Sequence, residues 1–428
     1  MDVIRAVRQR LTRVRRRFLI QFLSACILTF LLEQFTDHVI NEDKNGDSVL
    51  AQSVLDVGGI YQQLVTTGPR KPISHYTVVV EIDPKKDPLS VDIYAGLCQQ
   101  RAFLANLVGV VAAAHPAVIV LDKYFDTSRC TASDDAKLSD KLVRAWTTAS
   151  QQIPVISGEY KSAIASTPPA GFYPPPGRSM FRLGILNLDR DTRRLPLRWI
   201  LPPEDAALAA RTDRASTLAL QAAQQYDHHI LSKNERMQLM VDRGENSYVS
   251  FLRPDQFVHF YAGEVQCMAP SPGMSAACAG VSRRLPRIGA PSLRDLSHEI
   301  VIIGERDERQ DNYHTIVGVI PGFYLWANYI EAALDDRLFR PVHPLINYGI
   351  GFLIFAIFEL ILLQNHEKPL RAVWHIVLLF AGTVVTLYLV VVHFGYYINP
   401  ATVGLVAICI NLGHLKFAAA EHNERHRT

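Results

Sequence analysis

The chain carries almost no excess charge: across its 428 residues, 44 Lys and Arg stand against 41 Asp and Glu, a formal net charge of +3. That leaves no basic field of the kind that tracks a phosphate backbone, which argues against nucleic acid as a partner. The signatures of common enzymes are missing too. There is no Gly-x-Ser-x-Gly elbow, no Walker loop, no His-Glu-x-x-His and no Gly-x-Gly-x-x-Gly, so the reading is a protein that is not an enzyme and needs no cofactor. No Cys-x-x-Cys pair is present to found a zinc site, and no internal repeat is evident. With 49% hydrophobic and 20% charged residues, the chain is too apolar for disorder and, on average, too polar for a pure membrane channel.

The apolar excess gathers at the two ends. Arg5, Arg8, Arg10, Arg13, Arg15, Arg16 and Arg17 precede an apolar run from Phe18 to Leu32, a basic flank and hydrophobic stretch without a convincing cleavage site. Further apolar runs cover Leu345 to Leu363, Ala372 to Val392 and Ala401 to Leu415. Each is near the length of a bilayer-crossing helix. The pattern predicts four transmembrane helices, 18–35, 344–364, 371–393 and 400–416, between a basic segment 1–17 and a tail 417–428. Lys and Arg placement puts both termini in the cytoplasm and residues 36–343 outside, the layout of a multi-pass protein of a bacterial inner membrane. The lipid bilayer is then an expected partner. Glu359, Asn411 and His414 fall within these runs, where interhelical hydrogen bonding is the plain expectation and a signalling role the alternative.

The long middle reads as alternating strands and helices. Tyr76 to Asp83 is a β-branched run ended by Asp-Pro, and Phe103 to Ala114 places Leu104, Leu107, Val108 and Val111 on one helical face. Ala117 to Asp122 is a second continuous apolar strand. A strand, crossover helix and buried strand make one parallel unit of an α/β sheet. Ile153 to Ser157 predicts a third strand, and Thr167 to Gly177 a proline-rich loop. Arg182 to Asn187 and Leu195 to Ile200 read as a β-hairpin, Ser216 to Tyr226 as a helix and Ser250 to Phe260 as strand material. Glu299 to Gly304 is a late buried strand, and a helix from Phe323 to Leu338 is expected to run into the second span. The fold class expected is therefore an exported α/β sensor domain with a mixed, largely parallel sheet, anchored by an α-helical bundle of four transmembrane spans.

Four of the six cysteines, Cys98, Cys130, Cys267 and Cys278, fall in the exported part, where an oxidising compartment favours disulfides. Four cysteines allow three pairings. Cys267 with Cys278 closes a loop holding Pro270, Pro272 and Gly273, and Cys98 with Cys130 ties two loops of the first strand–helix–strand unit. These are the favoured pairs, with free thiols left open.

The order of elements resembles the second type of CHASE domain (cyclases/histidine kinases associated sensory extracellular). The resemblance rests on Val78 to Asp83, Arg101, Ala117 to Asp126, Phe181 to Leu197, and Ile302-Ile303-Gly304 followed by Asp311, His314-Thr315, Gly318, Pro321-Gly322 and Ala327. Two positions depart from the pattern: Thr192 stands where a glycine is usual and Ile316 where a proline is usual. The resemblance implies a sensory receptor, commonly with one span before the domain and three after it. That arrangement usually continues into an output domain, whereas this chain stops soon after its last apolar run. A separate cytoplasmic output protein is accordingly expected, and a homodimer is left open. The alternative is a scaffold subunit of an envelope complex that uses the domain to bind another protein.

In open α/β sheets, ligands sit in the crevice beyond the carboxyl ends of the strands. Asp83, Asp122 and Asp126 stand there, and Arg101, Asp307, Asp311 and His314 come from neighbouring segments. Together they form a candidate polar mouth for an extracytoplasmic ligand, against the plainer role of helix capping and ion pairing. No metal site is assigned. Asp189 and Asp191 suit a hairpin turn as well as calcium, and the adjacent His228 and His229 do not share a helical face.

Overall fold

In the computed structural model the described residues are 73–90, 97–123, 133–159, 180–186, 188, 192–197, 216–243, 246–270, 274–284, 292–306, 311–315, 317–364 and 369–398, with a few helical positions between 27 and 63. The chain divides into two compact units, one of Arg70–Leu338 and one of Met1–Pro69 with Phe339–Thr428.

The first unit is built on β1 (Thr77–Ile82), α1 (Leu97–Ala113), β2 (Val118–Leu121), α2 (Ser133–Ala149), β3 (Val155–Glu159) and β4 (Phe181–Ile185). There follow β5 (Arg194–Pro196), α3 (Leu218–Tyr226), α4 (Ile230–Lys233), α5 (Glu235–Arg243), β6 (Asn246–Val249), β7 (Val258–Tyr261), α6 (Ala262–Met268) and α7 (Ser275–Arg284). The unit ends with β8 (Ile300–Glu305), β9 (Asn312–Thr315), β10 (Gly318–Pro321) and α8 (Gly322–Leu334). Six strands form one sheet in the order β4-β3-β2-β8-β1-β7, and each neighbouring pair in it is parallel. The late strand β8 is inserted between β1 and β2, so every residue of β1, β2 and β8 is buried. Burial on both faces is why these segments read as near-continuous apolar runs.

Side chains alternate across that sheet. Val78, Val80, Ile82, Ile119, Leu121, Val301 and Ile303 pack toward the core shared with Leu104, Leu107, Trp146 and Val265. Val79, Val118, Val120, Ile300 and Ile302 face the core shared with Leu218, Phe323, Trp326 and Ile330. The sheet thus has an α1/α2/α6 face and an α3/α8 face. Cys267 and Cys278 form a disulfide between α6 and α7, with Cα atoms 5.5 Å apart. Cys98 lies in α1, and Cys130 falls outside the described residues.

Three expectations are corrected. The hairpin over Arg182–Ile200 does not form: β4 pairs in parallel with β3, and β5 pairs antiparallel with β6. Alternating apolar residues fix which face a strand buries, not which strand it joins. The helix expected over Phe323–Leu338 ends at Leu334 and is followed by a further strand, β11 (Leu338–Pro341). Asp336, with φ of 54°, takes the left-handed conformation that stops a helix.

The third correction is to the four-span bundle. In the second unit, α9 (Pro344–Gln364) and α10 (Pro369–Phe394) form over two of the apolar runs, and β12 (Tyr396–Tyr397) pairs in parallel with β11. These helices expose large side chains, among them Leu345, Trp374 and Leu378. A span needs roughly 20 successive apolar residues. Asn347 and Glu359 interrupt the first run, and His375, Thr383 and Thr386 the second. Among the described residues no helix is long and apolar enough to cross a membrane, so the bundle is not supported. The runs 18–35 and 400–416 lie largely or wholly outside the described residues, as do Asn411 and His414.

Candidate functional site

The carboxyl ends of β7, β1, β8 and β2 lie side by side, with Glu81 in register with both Tyr261 and Gly304. The polar residues there divide between the two faces of the sheet as the alternation requires. Glu81 shares the face of Val79, and its side chain is 2% exposed. His259 Nε2 lies 2.8 Å from Glu81 Oε2, and Arg306 Nε donates to Oε1. Asp83 closes the group: its carboxylate is 3.8 Å from Arg306 Nε and 3.9 Å from Lys86 Nζ, and it accepts from the Lys85 amide at 3.0 Å. The His259 ring meets Tyr261 edge-on at 4.7 Å and lies 6.3 Å from Tyr324 of α8.

Burial alone would push the Glu81 carboxyl up. The hydrogen bonds from His259 and Arg306, with their charge, outweigh it and hold the group below the usual carboxylate range. A buried ion that is paired and hydrogen-bonded in this way is tolerated where a lone one would not be.

On the other face, Glu305 accepts from Gln100 Nε2 of α1 at 2.6 Å and is paired with Lys123. Arg101, the next residue of α1, is buried. The β1–α1 connection is fixed by Asp87, which is fully buried and accepts from Gly263 N at 2.7 Å, Ser90 Oγ at 2.6 Å and Leu89 N at 3.0 Å. That anchor joins the loop after β1 to the first turn of α6.

Asp311 lies against the first turn of α8, and its charge is felt by Asp122 at the end of β2. The Asp311 carbonyl accepts from Gly322 N at 3.1 Å, and a Cβ added to Gly322 would meet Asp311 Oδ1 at 2.6 Å. Burial, reinforced by the Asp311 charge, pushes Asp122 well above the usual carboxylate range, with Lys123 opposing. A carboxyl raised in the fold contributes its stability at low pH and loses it as the pH rises through the raised value. Asp122→Asn is therefore expected to raise the melting temperature at neutral pH by about 2–4 °C. The advantage should vanish below the ordinary carboxylate range, as thermal unfolding across a pH series would show.

Of the residues expected in the mouth, Asp83, Arg101, Asp122 and Asp311 lie at or next to this edge. His314 is in β9, where its carbonyl accepts from the Thr192 hydroxyl at 2.7 Å. That hydrogen bond ties the turn before β5 to β9. Asp126, Asp307 and Ile316 fall outside the described residues. Sequence reasoning missed Glu81, His259, Glu305 and Lys123 as participants. The available signal was a carboxylate inside each of two otherwise apolar strands. Among the described residues no group of three His, Cys, Asp or Glu side chains is arranged to hold a metal.

The sequence model of the CHASE2 domain matches residues 39–363. CHASE2 domains are extracellular and sensory, not catalytic. No curated protein and no solved structure matches the chain significantly.

Proposed function

Because the chain belongs to the CHASE2 domain family, we propose that it is a periplasmic sensor that binds a small polar ligand at the carboxyl edge of its parallel sheet and passes the signal out of the domain along α8. One observation carries this reading. The first turn of α8 rests on the edge cluster through Gly322 and Tyr324, and the compact unit ends at Leu338, four residues after the helix. A ligand that repositions Arg306, His259 or Asp311 acts directly on the helix by which the chain leaves the domain. It shifts that helix only by its differential affinity for two arrangements.

A thermal-shift screen of the full chain with small dicarboxylates, amino acids and polyamines tests it. A ligand that binds only the folded state raises the melting temperature, by about 2.7 kcal/mol of stability at a hundredfold excess over Kd. That rise should be lost in Asp83→Asn. Ligand stabilisation that survives intact in both Asp83→Asn and Asp311→Asn would place the site elsewhere.

A further inference from the structure

At the opposite, amino end of the sheet, a single carboxylate joins the two ends of the domain. Glu331, in α8, is fully buried. Its Oε1 accepts from Tyr76 N at 2.9 Å and Thr77 N at 2.6 Å, and its Oε2 from His75 N at 3.1 Å. The Ser74 hydroxyl lies 2.8 Å from Oε1 and 2.8 Å from Thr77 O, so its one proton serves either. Among the described residues no lysine, arginine or histidine side chain pairs with Glu331. The ionisable neighbours that feel its charge are Glu299, Tyr76 and Tyr226, each raised above its usual value, with burial the largest cause. Three consecutive amides converging on one carboxylate form a compact anion nest. Here the anion belongs to the protein.

The position of this contact matters more than its strength. The compact unit begins at Arg70 and ends at Leu338. Ser74–Thr77 is the segment by which the chain enters the central strand β1, and α8 is the helix from which it departs. We infer that Glu331 is a latch that makes the entry segment and the exit helix one moving part. Movement of α8 then reaches both connections to the rest of the chain at once, instead of bending the exit alone. The latch rests on geometry at the amino end of the sheet. Its use in signalling rests on the reading of the carboxyl edge given above.

Residue-resolved hydrogen exchange on the full chain tests the latch. In the wild type, the amides of His75, Tyr76 and Thr77 should open together with those of Ile330 to Leu334, as one cooperative unit. In Glu331→Gln, which keeps the shape but places an amide NH₂ against donors, exchange at 75–77 and in that last helical turn should accelerate together. The expected factor is about tenfold or more, since buried donors lose a charged acceptor. Faster exchange at 75–77 with α8 unchanged, or unchanged protection at both, overturns the latch. If Glu331→Gln does not fold, the wild-type pattern decides: separate opening of the two segments overturns it. Neither result depends on Asp83 or Asp311, so failure of the latch and failure of the ligand site remain distinguishable.

Discussion

Replacing Gly304 by alanine is expected to cost about 3 kcal/mol or more, at the upper end of overpacking effects. A Cβ at that position would lie 2.2 Å from Phe323 Cβ and 2.4 Å from its Cγ. Neither side can yield easily. Gly304 sits in β8, which is hydrogen-bonded on one side to β1 and on the other to β2. Phe323 is in the first turn of α8, which is held by Glu331 at the start of β1, by Asn328 Nδ2 donating to Leu252 O at 3.1 Å, and by Tyr329 OH donating to Thr192 O at 2.9 Å. Relief requires moving a central strand or the helix that covers it. For a unit of this size the melting temperature should fall by roughly 6–12 °C. Trimming the ring by Phe323→Ala should not rescue the variant, because the nearest atom is the Cβ itself. Full rescue by that second change would show that the ring, not the backbone approach, sets the limit.

The same glycine shows how unevenly the fold could be read from the chain. The central strands were legible because burial on both faces writes an apolar run: 76–83, 117–122 and 299–304 contain β1, β2 and, but for Glu305, β8. The position of Gly304 within the motif Ile302-Ile303-Gly304 was visible too, yet nothing local says that Phe323 lies over it. Strand partners were equally hidden. The residues of β4 carry the same alternation whether they close a hairpin with β5 or join β3 in parallel, and the latter is found.

At the candidate site, aspartates at strand ends announced themselves because Asp followed by Pro or Lys breaks an apolar run. Glu81 did not, since one carboxylate within Val78 to Ile82 leaves no periodic trace. Its partners His259 and Arg306 are 178 and 225 residues away. The apolar runs at the chain's ends carried a length signal alone, and length did not establish a bundle.

Removing Arg306 should produce the other large effect, for a different reason. Glu81 is the buried member of its ion pair, at 2% side-chain exposure, while Arg306 is 30% exposed. Truncating the arginine therefore leaves a carboxylate inside the protein with only His259 beside it. Breaking a buried pair from one side costs about 3–5 kcal/mol. The remaining imidazole contact and the partial exposure of the arginine place Arg306→Met near the lower bound, about 3 kcal/mol at neutral pH. In the wild type the folded Glu81 carboxyl is held below its unfolded value. Its stabilising contribution is thus present above the ordinary carboxylate range and is lost as the pH falls through the depressed value. Without Arg306, burial loses one of its two opponents, so the carboxyl rises and the acid limb of the stability curve should move to higher pH. Denaturant unfolding at several pH values reads both effects. The double variant Glu81→Gln with Arg306→Met should be more stable than Arg306→Met alone, because it removes the stranded charge along with its partner. A double variant destabilised by the full sum of the two single changes would mean that Glu81 and Arg306 act independently. The carboxyl edge would then be a set of separate surface charges, with no coupled group for a ligand to move.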